Sequence, residues 1–248
     1  MKTDKYQKRF YRNRVRKNDL HLAQVSVKET DLLVSTDKPV DKKFLRERIN
    51  FYRGQIESYI AKDNKFLTSL KPISVELKAP LVVREMSKAA RSANVGPMAA
   101  VAGAIAQFLG KDLLRRGFKE VIIENGGDIF LKTNKKRVIG IYTGQQKFFK
   151  DICLVIEPSI VPLGICTSSG TVGHSLSFGC ADSVIILSKN TLLADSAATA
   201  TGNLVKSKFD LQKALNFAKS IKGIEAVVII IKDSLISWGK VKFGKRKF

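Results

Sequence analysis

Polar and apolar positions alternate or recur along this chain with two different periods, and the change of period divides it into elements. Leu22 to Val27 and Thr30 to Ser35 are short β-rich runs separated by Lys28-Glu29, the pattern of a hairpin. Asp37 and Pro39 supply helix-start signals. Phe44, Leu45, Ile49, Tyr52, Ile56 and Ile60 then recur at helical spacing. Asp63 to Pro72 breaks the pattern, and Leu81 to Arg91 resumes it as a second helix. Asn94-Val95-Gly96-Pro97 is a turn that sets Pro97 at the first position of a third helix, Met98 to Arg116, which stops at Gly117.

The second half begins as strands: Glu120 to Glu124, Ile129 to Lys132, Val138 to Thr143, Ile152 to Ile156, Gly164 to Thr167 and Ser183 to Leu187. Thr191 to Val205 and Leu211 to Ile221 read as helices, and Ala226 to Ile231 and Leu235 to Trp238 as closing strands. The expected fold class is α/β, a mixed sheet with flanking helices in one domain. Basic tails lie at 1–19 and 240–248.

Composition narrows the setting. No basic start leads into an apolar run, so no signal peptide is expected. The most membrane-like stretch, Gly96 to Gly110, is about 15 residues long where a span needs roughly 20. Cys153, Cys166 and Cys180 are odd in number and show no CxxC spacing, which favours free thiols in a reducing, cytoplasmic compartment. The net charge is +22, yet residues 95–205 carry 11 Lys or Arg against 8 Asp or Glu, so +19 lies outside that stretch. Basic ends with interleaved aromatics can grip phosphate backbones, but they lie apart from the candidate chemistry, and a nucleic-acid partner is the weaker expectation.

Three segments carry that chemistry. Asn125-Gly126-Gly127-Asp128 follows a buried strand; its glycines let a ligand reach bare amides, and its acid can hold a cation. The same four residues also suit a hairpin turn. Asp195 and Thr199 stand four apart on a helix of small residues, so their oxygens share a face and suit Mg²⁺. A helix-start role for Asp195 stands beside that reading. Cys166-Thr167-Ser168-Ser169-Gly170 runs from a strand into a loop carrying His174, with hydroxyls and amides suited to phosphate. Cys166 lacks a base and reads as a buried thiol. The small residues of Met98 to Arg116 admit either close packing or a ligand. Walker A, GxGxxG and HExxH signatures are absent from the sequence.

Taken in order, NGGDI, CTSSGTVGHSLSFG and LADSAATATGN resemble the C-terminal half of the ApbE flavin transferases, over roughly residues 119 to 205. GPMAAVAGAIA, YRNRV and VKETDL look more specifically like a smaller ApbE-like family of anaerobes and methanogens. The resemblance implies an ApbE-like fold, FAD or a related pyrophosphate ligand, and Mg²⁺ on Asp195 and Thr199. It places Asn125, Gly126, Gly127 and Asp128 in a nucleotide pocket and brings Thr167, Ser168, Ser169 and Gly170 to the flavin or its pyrophosphate. It gives Asp128 and His174 catalytic roles in FMN transfer to an acceptor protein, or in pyrophosphate cleavage. An alternative it implies is an accessory role, with a partner protein, in anaerobic sulfur assimilation towards homocysteine. Two elements of the flavin transferases are missing here: Asp-x-Gly-Gly-x-x-Lys-Gly, where residues 94–103 read NVGPMAAVAG, and the Asp-Pro after the histidine.

Overall fold

Strands that are apolar on both faces need cover on both sides, and this chain supplies two different covers. The computed structural model describes residues 19–141, 148–149, 151–170 and 178–245. Its main sheet is built from β1 (His21–Val27), β2 (Thr30–Thr36), β3 (Val121–Asn125), β4 (Asp128–Lys132), β7 (Leu163–Ser168), β8 (Ser183–Ser188), β9 (Ile224–Ile231) and β10 (Ser234–Gly239). They lie side by side in that order, every neighbour antiparallel. A smaller sheet pairs β11 (Phe243–Lys245), β6 (Ile152–Ile156) and β5 (Arg137–Gly140).

Alternate side chains of each central strand enter different cores. Val121, Ile123 and Phe130 pack under α1 (Lys42–Lys62), α3 (Leu81–Ala93) and α4 (Val101–Arg115). Val184, Ile186, Val227 and Ile229 pack under α5 (Thr191–Leu204) and α6 (Leu211–Ser220). Their neighbours Ile122, Ile129, Leu131, Ile185, Val228 and Ile230 face the smaller sheet, whose Ile139, Leu154 and Ile156 close a third core. The sequence pattern locates these elements to within a few residues, and the α/β class with flanking helices holds.

Three starts and ends differ from the sequence expectation. Asp41, not Asp37, caps α1 by accepting from the Lys43 amide at 2.8 Å. Asp37 instead receives the amides of Lys119 and Glu120 at 3.1 and 3.2 Å, stitching the end of β2 to the start of β3. Pro97 opens a 3₁₀ turn, Pro97–Ala100, so α4 begins only at Val101, after a residue whose side chain cannot cap it. The break after α1 holds a short helix, α2 (Lys65–Thr68).

Described residues near both ends of the chain join the fold. Asp19 takes Arg137 Nη1 at 2.6 Å; the same guanidinium, 4% exposed, donates to buried Glu120 at 2.9 Å. Phe243–Lys245 of the C-terminal basic stretch is the edge strand of the smaller sheet. Among the described residues no single helix is long and apolar enough to cross a membrane, and α3 with the Pro97–Arg115 stretch is bent by 103°.

Candidate functional site

Antiparallel pairing brings the end of β3, the start of β4, the end of β7 and the start of β8 to one end of the main sheet. Asn125 and Asp128 face each other across a two-residue hairpin loop, Gly126-Gly127. Both glycines have positive φ, 69° and 105°, a conformation that side-chain-bearing residues resist. The turn reading of this motif is therefore correct, and the turn is also what sets Asp128 in place. By strand alternation Asn125 lies on the face of Ile123, Asp128 on that of Phe130, and Ser168 on that of Cys166. All are on the helix side, beneath α4 and α5.

The helices meet there because neither side chain nor backbone blocks them. A Cβ on Gly103 would lie 2.6 Å from the Thr191 carbonyl oxygen and 3.0 Å from the Asp195 Cβ. Close packing is thus the role of at least this small residue. Asp195 sits inside α5, whose own cap is Asn190. Its Oδ2 instead accepts from the Gly103 amide at 2.8 Å, capping α4 from 92 residues away. Asn125 Nδ2 donates to the Ala102 carbonyl at 3.1 Å and holds the same turn of α4 to the hairpin.

The electrostatics of this junction are unfavourable for anions. Burial first, then the charge of Asp195, pushes the Asp128 carboxyl well above the ordinary range. The Thr167 amide, 3.2 Å away, and the Cys166 thiol pull it only partly back. Burial likewise lifts Asp195 to about 7, against the pull of the Gly103 and Ala102 amides. Among the described residues no lysine or arginine pairs with either carboxyl. Glu124, also buried, adds negative charge and accepts the Gly127 amide at 3.0 Å. Cys166 is fully buried and its thiol is pushed up by burial and by both aspartates, so it is no nucleophile.

A divalent cation fits this donor set. The Asp128–Asp195 pair is buried, rich in negative oxygen and without a basic partner among the described residues. The half-buried Thr199 hydroxyl follows one turn along α5 on the face of Asp195. Among the described residues no three His, Cys, Asp or Glu side chains gather as a cage. A cation held here would have few protein ligands, which Mg²⁺ tolerates by keeping water and substrate phosphate in its shell.

Of the expected site residues, Asn125, Gly126, Gly127, Asp128, Thr167 and Asp195 converge directly. Ser168 approaches α5, where a Cβ on Gly202 would meet its Oγ at 3.2 Å. Gly170 is committed to packing: its amide donates to Ala181 at 2.9 Å, and a Cβ there would strike the Gly179 carbonyl. His174 lies outside the described residues. Sequence reasoning missed Ala102, Gly103 and Glu124; the small-residue start of α4 was the available signal for the first two.

Known proteins share this fold. A model of the family described as AbpE bacteria matches residues 12–242. A UPF0280 protein of Methanosarcina acetivorans is 39% identical over 216 residues, 87% of this chain and 85% of the relative. One from Methanocaldococcus jannaschii is 41% identical over 223 residues, covering 88% and 90%. In three dimensions the chain matches the apo flavinyl transferase ApbE of Pseudomonas stutzeri with a TM-score of 0.60, at 14% identity over 89% of this chain and 95% of that one. The flavin transferase ApbE of Vibrio cholerae matches with a TM-score of 0.57, at 14% identity over 88% and 97%. The shared fold and the sequence matches agree, and this chain belongs to the ApbE-like family that the AbpE bacteria model describes, alongside the UPF0280 proteins of methanogens.

Proposed function

We propose that this protein binds FAD or a related pyrophosphate ligand together with Mg²⁺, and acts as an FMN transferase or a pyrophosphate-cleaving enzyme. The observation that carries the reading is the buried Asp128–Asp195 pair at the sheet end, both carboxyls held above their ordinary range with no basic partner among the described residues. Two buried acids would repel a pyrophosphate; with a cation between them and the ligand the same acids become its anchor.

In this reading Asp195 and Thr199 hold the cation, which neutralises charge developing on phosphate when bound. Asp195 keeps Oδ2 on the Gly103 amide, and in this reading its other oxygen holds the cation. Asn125 and the Gly126-Gly127 turn form the nucleotide wall. Thr167, Ser168 and Ser169 form the opposite wall, towards the flavin or its pyrophosphate, and Gly170 anchors that wall by packing on Gly179. Without a cation, burial and Asp195 hold the Asp128 carboxyl above its ordinary range; in this reading a cation favours its ionised form, which can accept the proton of an attacking hydroxyl, with His174 in the second catalytic role.

The test is calorimetric titration of FAD, and of ADP as a fragment, with and without Mg²⁺, repeated on Asp195→Ala. Mg²⁺-dependent binding that disappears in the variant supports the reading. Ligand binding indifferent to both Mg²⁺ and the substitution, or no binding at all, rejects it.

A further inference from the structure

The helix pair that carries Asp195 is fastened at a second point. Gln107 lies one turn along α4 from Gly103, and Thr191 lies one turn before Asp195 on α5. Gln107 is 4% exposed, and its Oε1 accepts the Thr191 amide at 2.7 Å. Asp195 Oδ2 accepts the Gly103 amide at 2.8 Å. Each helix therefore caps the first turn of the other, through bonds spaced one turn apart on both.

A single hydrogen bond leaves two packed helices free to pivot about it; two, about 6 Å apart by helix geometry, fix both rotation and slide. The Thr191 peptide is held on its other side as well, where the Cys166 thiol donates to its carbonyl oxygen at 3.4 Å. Asp128 competes with that carbonyl for the single thiol hydrogen of Cys166. A chain of contacts thus runs from Gln107 through Thr191 and Cys166 to one acid of the pair, and along the first turn of α5 to the other. Asn190 satisfies the next two amides of α5, at 3.0 and 3.3 Å. Gln107 is then the sole side chain on the Thr191 amide among the described residues.

We propose that Gln107 is a positioning residue: by capping α5 from α4 it fixes where the Asp195 carboxylate stands relative to Asp128. The clamp stands on the geometry alone; its effect on a cation rests on the function proposed above.

Two variants separate the possibilities. Gln107→Leu keeps the volume and removes the acceptor; Gln107→Glu keeps an acceptor at a helix start. The first readout is amide hydrogen exchange in metal-free protein. In Gln107→Leu the Gly103 amide, which Gln107 does not touch, exchanges on the order of tenfold faster than in the wild type, while α1 and α6 keep their protection; Gln107→Glu restores it. Faster exchange at Thr191 alone, with Gly103 unchanged, overturns the proposal. Should Gln107→Leu not fold, the reciprocal measurement decides: Asp195→Ala must speed exchange at Thr191, and unchanged exchange there overturns the clamp. The second readout is Mn²⁺ titration, where Gln107→Leu should weaken binding by roughly 10- to 100-fold. A wild type that binds no Mn²⁺ defeats the cation reading and leaves the exchange result to judge the clamp.

Discussion

Replacing Asp195 by Asn should make the ligand-free protein more stable, and by an amount that depends on pH. The amide oxygen of asparagine can still accept from the Gly103 amide, so the cap on α4 survives, but the side chain can no longer ionise. In the wild type, burial lifts this carboxyl from 3.8 to about 7. The group is protonated in both states below the unfolded value, so no stability is lost there. As pH rises from that value to the folded one, the unfolded chain ionises freely while the folded chain resists, and stability falls until it levels off above 7. Integrated between pH 5 and pH 8, a shift of this size removes roughly 2–3 kcal/mol from the wild type. The assay is urea unfolding of both proteins at half-unit steps across that range without divalent cations, reading the difference between the curves. Superimposable pH profiles, or a variant less stable than the wild type at pH 8, would refute the reasoning. Either would mean that the carboxylate is already neutralised or ordinarily solvated.

Other consequences are open to equally direct measurement. Mg²⁺ added at pH 8 should raise the melting temperature of the wild type and leave Asp195→Asn unmoved. Thr199→Val should weaken Mg²⁺-dependent ligand binding by about tenfold in calorimetry, on the scale expected for a lost supporting contact. Gly103→Ala sets a methyl 2.6 Å from the Thr191 carbonyl oxygen and should cost about 1–3 kcal/mol in chemical denaturation. Arg137→Met strands Glu120 in the interior and should cost roughly 3–5 kcal/mol. Burial pushes Glu120 up, but Arg137, Thr133 and the Asn134 amide together hold it below the ordinary value. Its contribution is therefore present above the unfolded value near 4.5 and lost as pH falls through the folded one, so the Met variant should lose the acid-side slope seen in the wild type.

How far the sequence reaches can be judged from particular residues. Val184 to Ile186 and Val227 to Ile230 announce strands buried on both faces, because every position is apolar. Their partners are not announced: nothing local says that β4 pairs with β7 while β5 and β6 leave to form a separate sheet. The Gly126-Gly127 turn was legible because its backbone requirement is local. The role of Asp195 was only half legible. Its i,i+4 relation to Thr199 follows from the helix period, but its use as the cap of another helix depends on a contact 92 residues away. Asp37 misled for the same reason: its preference for bare amides was correctly sensed, and the amides belonged to Lys119 and Glu120. The ordered motifs carried the family where each motif alone did not.

The long reach of the α4 cap has a consequence for synthesis. A ribosome that has released α1, α3 and strands β1–β4 has made every residue of α4 and the strands it covers, yet the acceptor for its Gly103 amide and one of its packing partners arrive only with α5. Until residues 191–204 emerge, the start of α4 is an uncapped helix end beside a half-covered sheet. The nascent chain should therefore hold its first half in a loosely ordered, protease-sensitive form and tighten in one late step. A truncation just before Thr191 would capture that intermediate, while one after Leu204 would already show protection over Gly103. Because β2 with β3, β4 with β7 and β8 with β9 pair across long stretches of chain, slow and late consolidation is the expected kinetic signature.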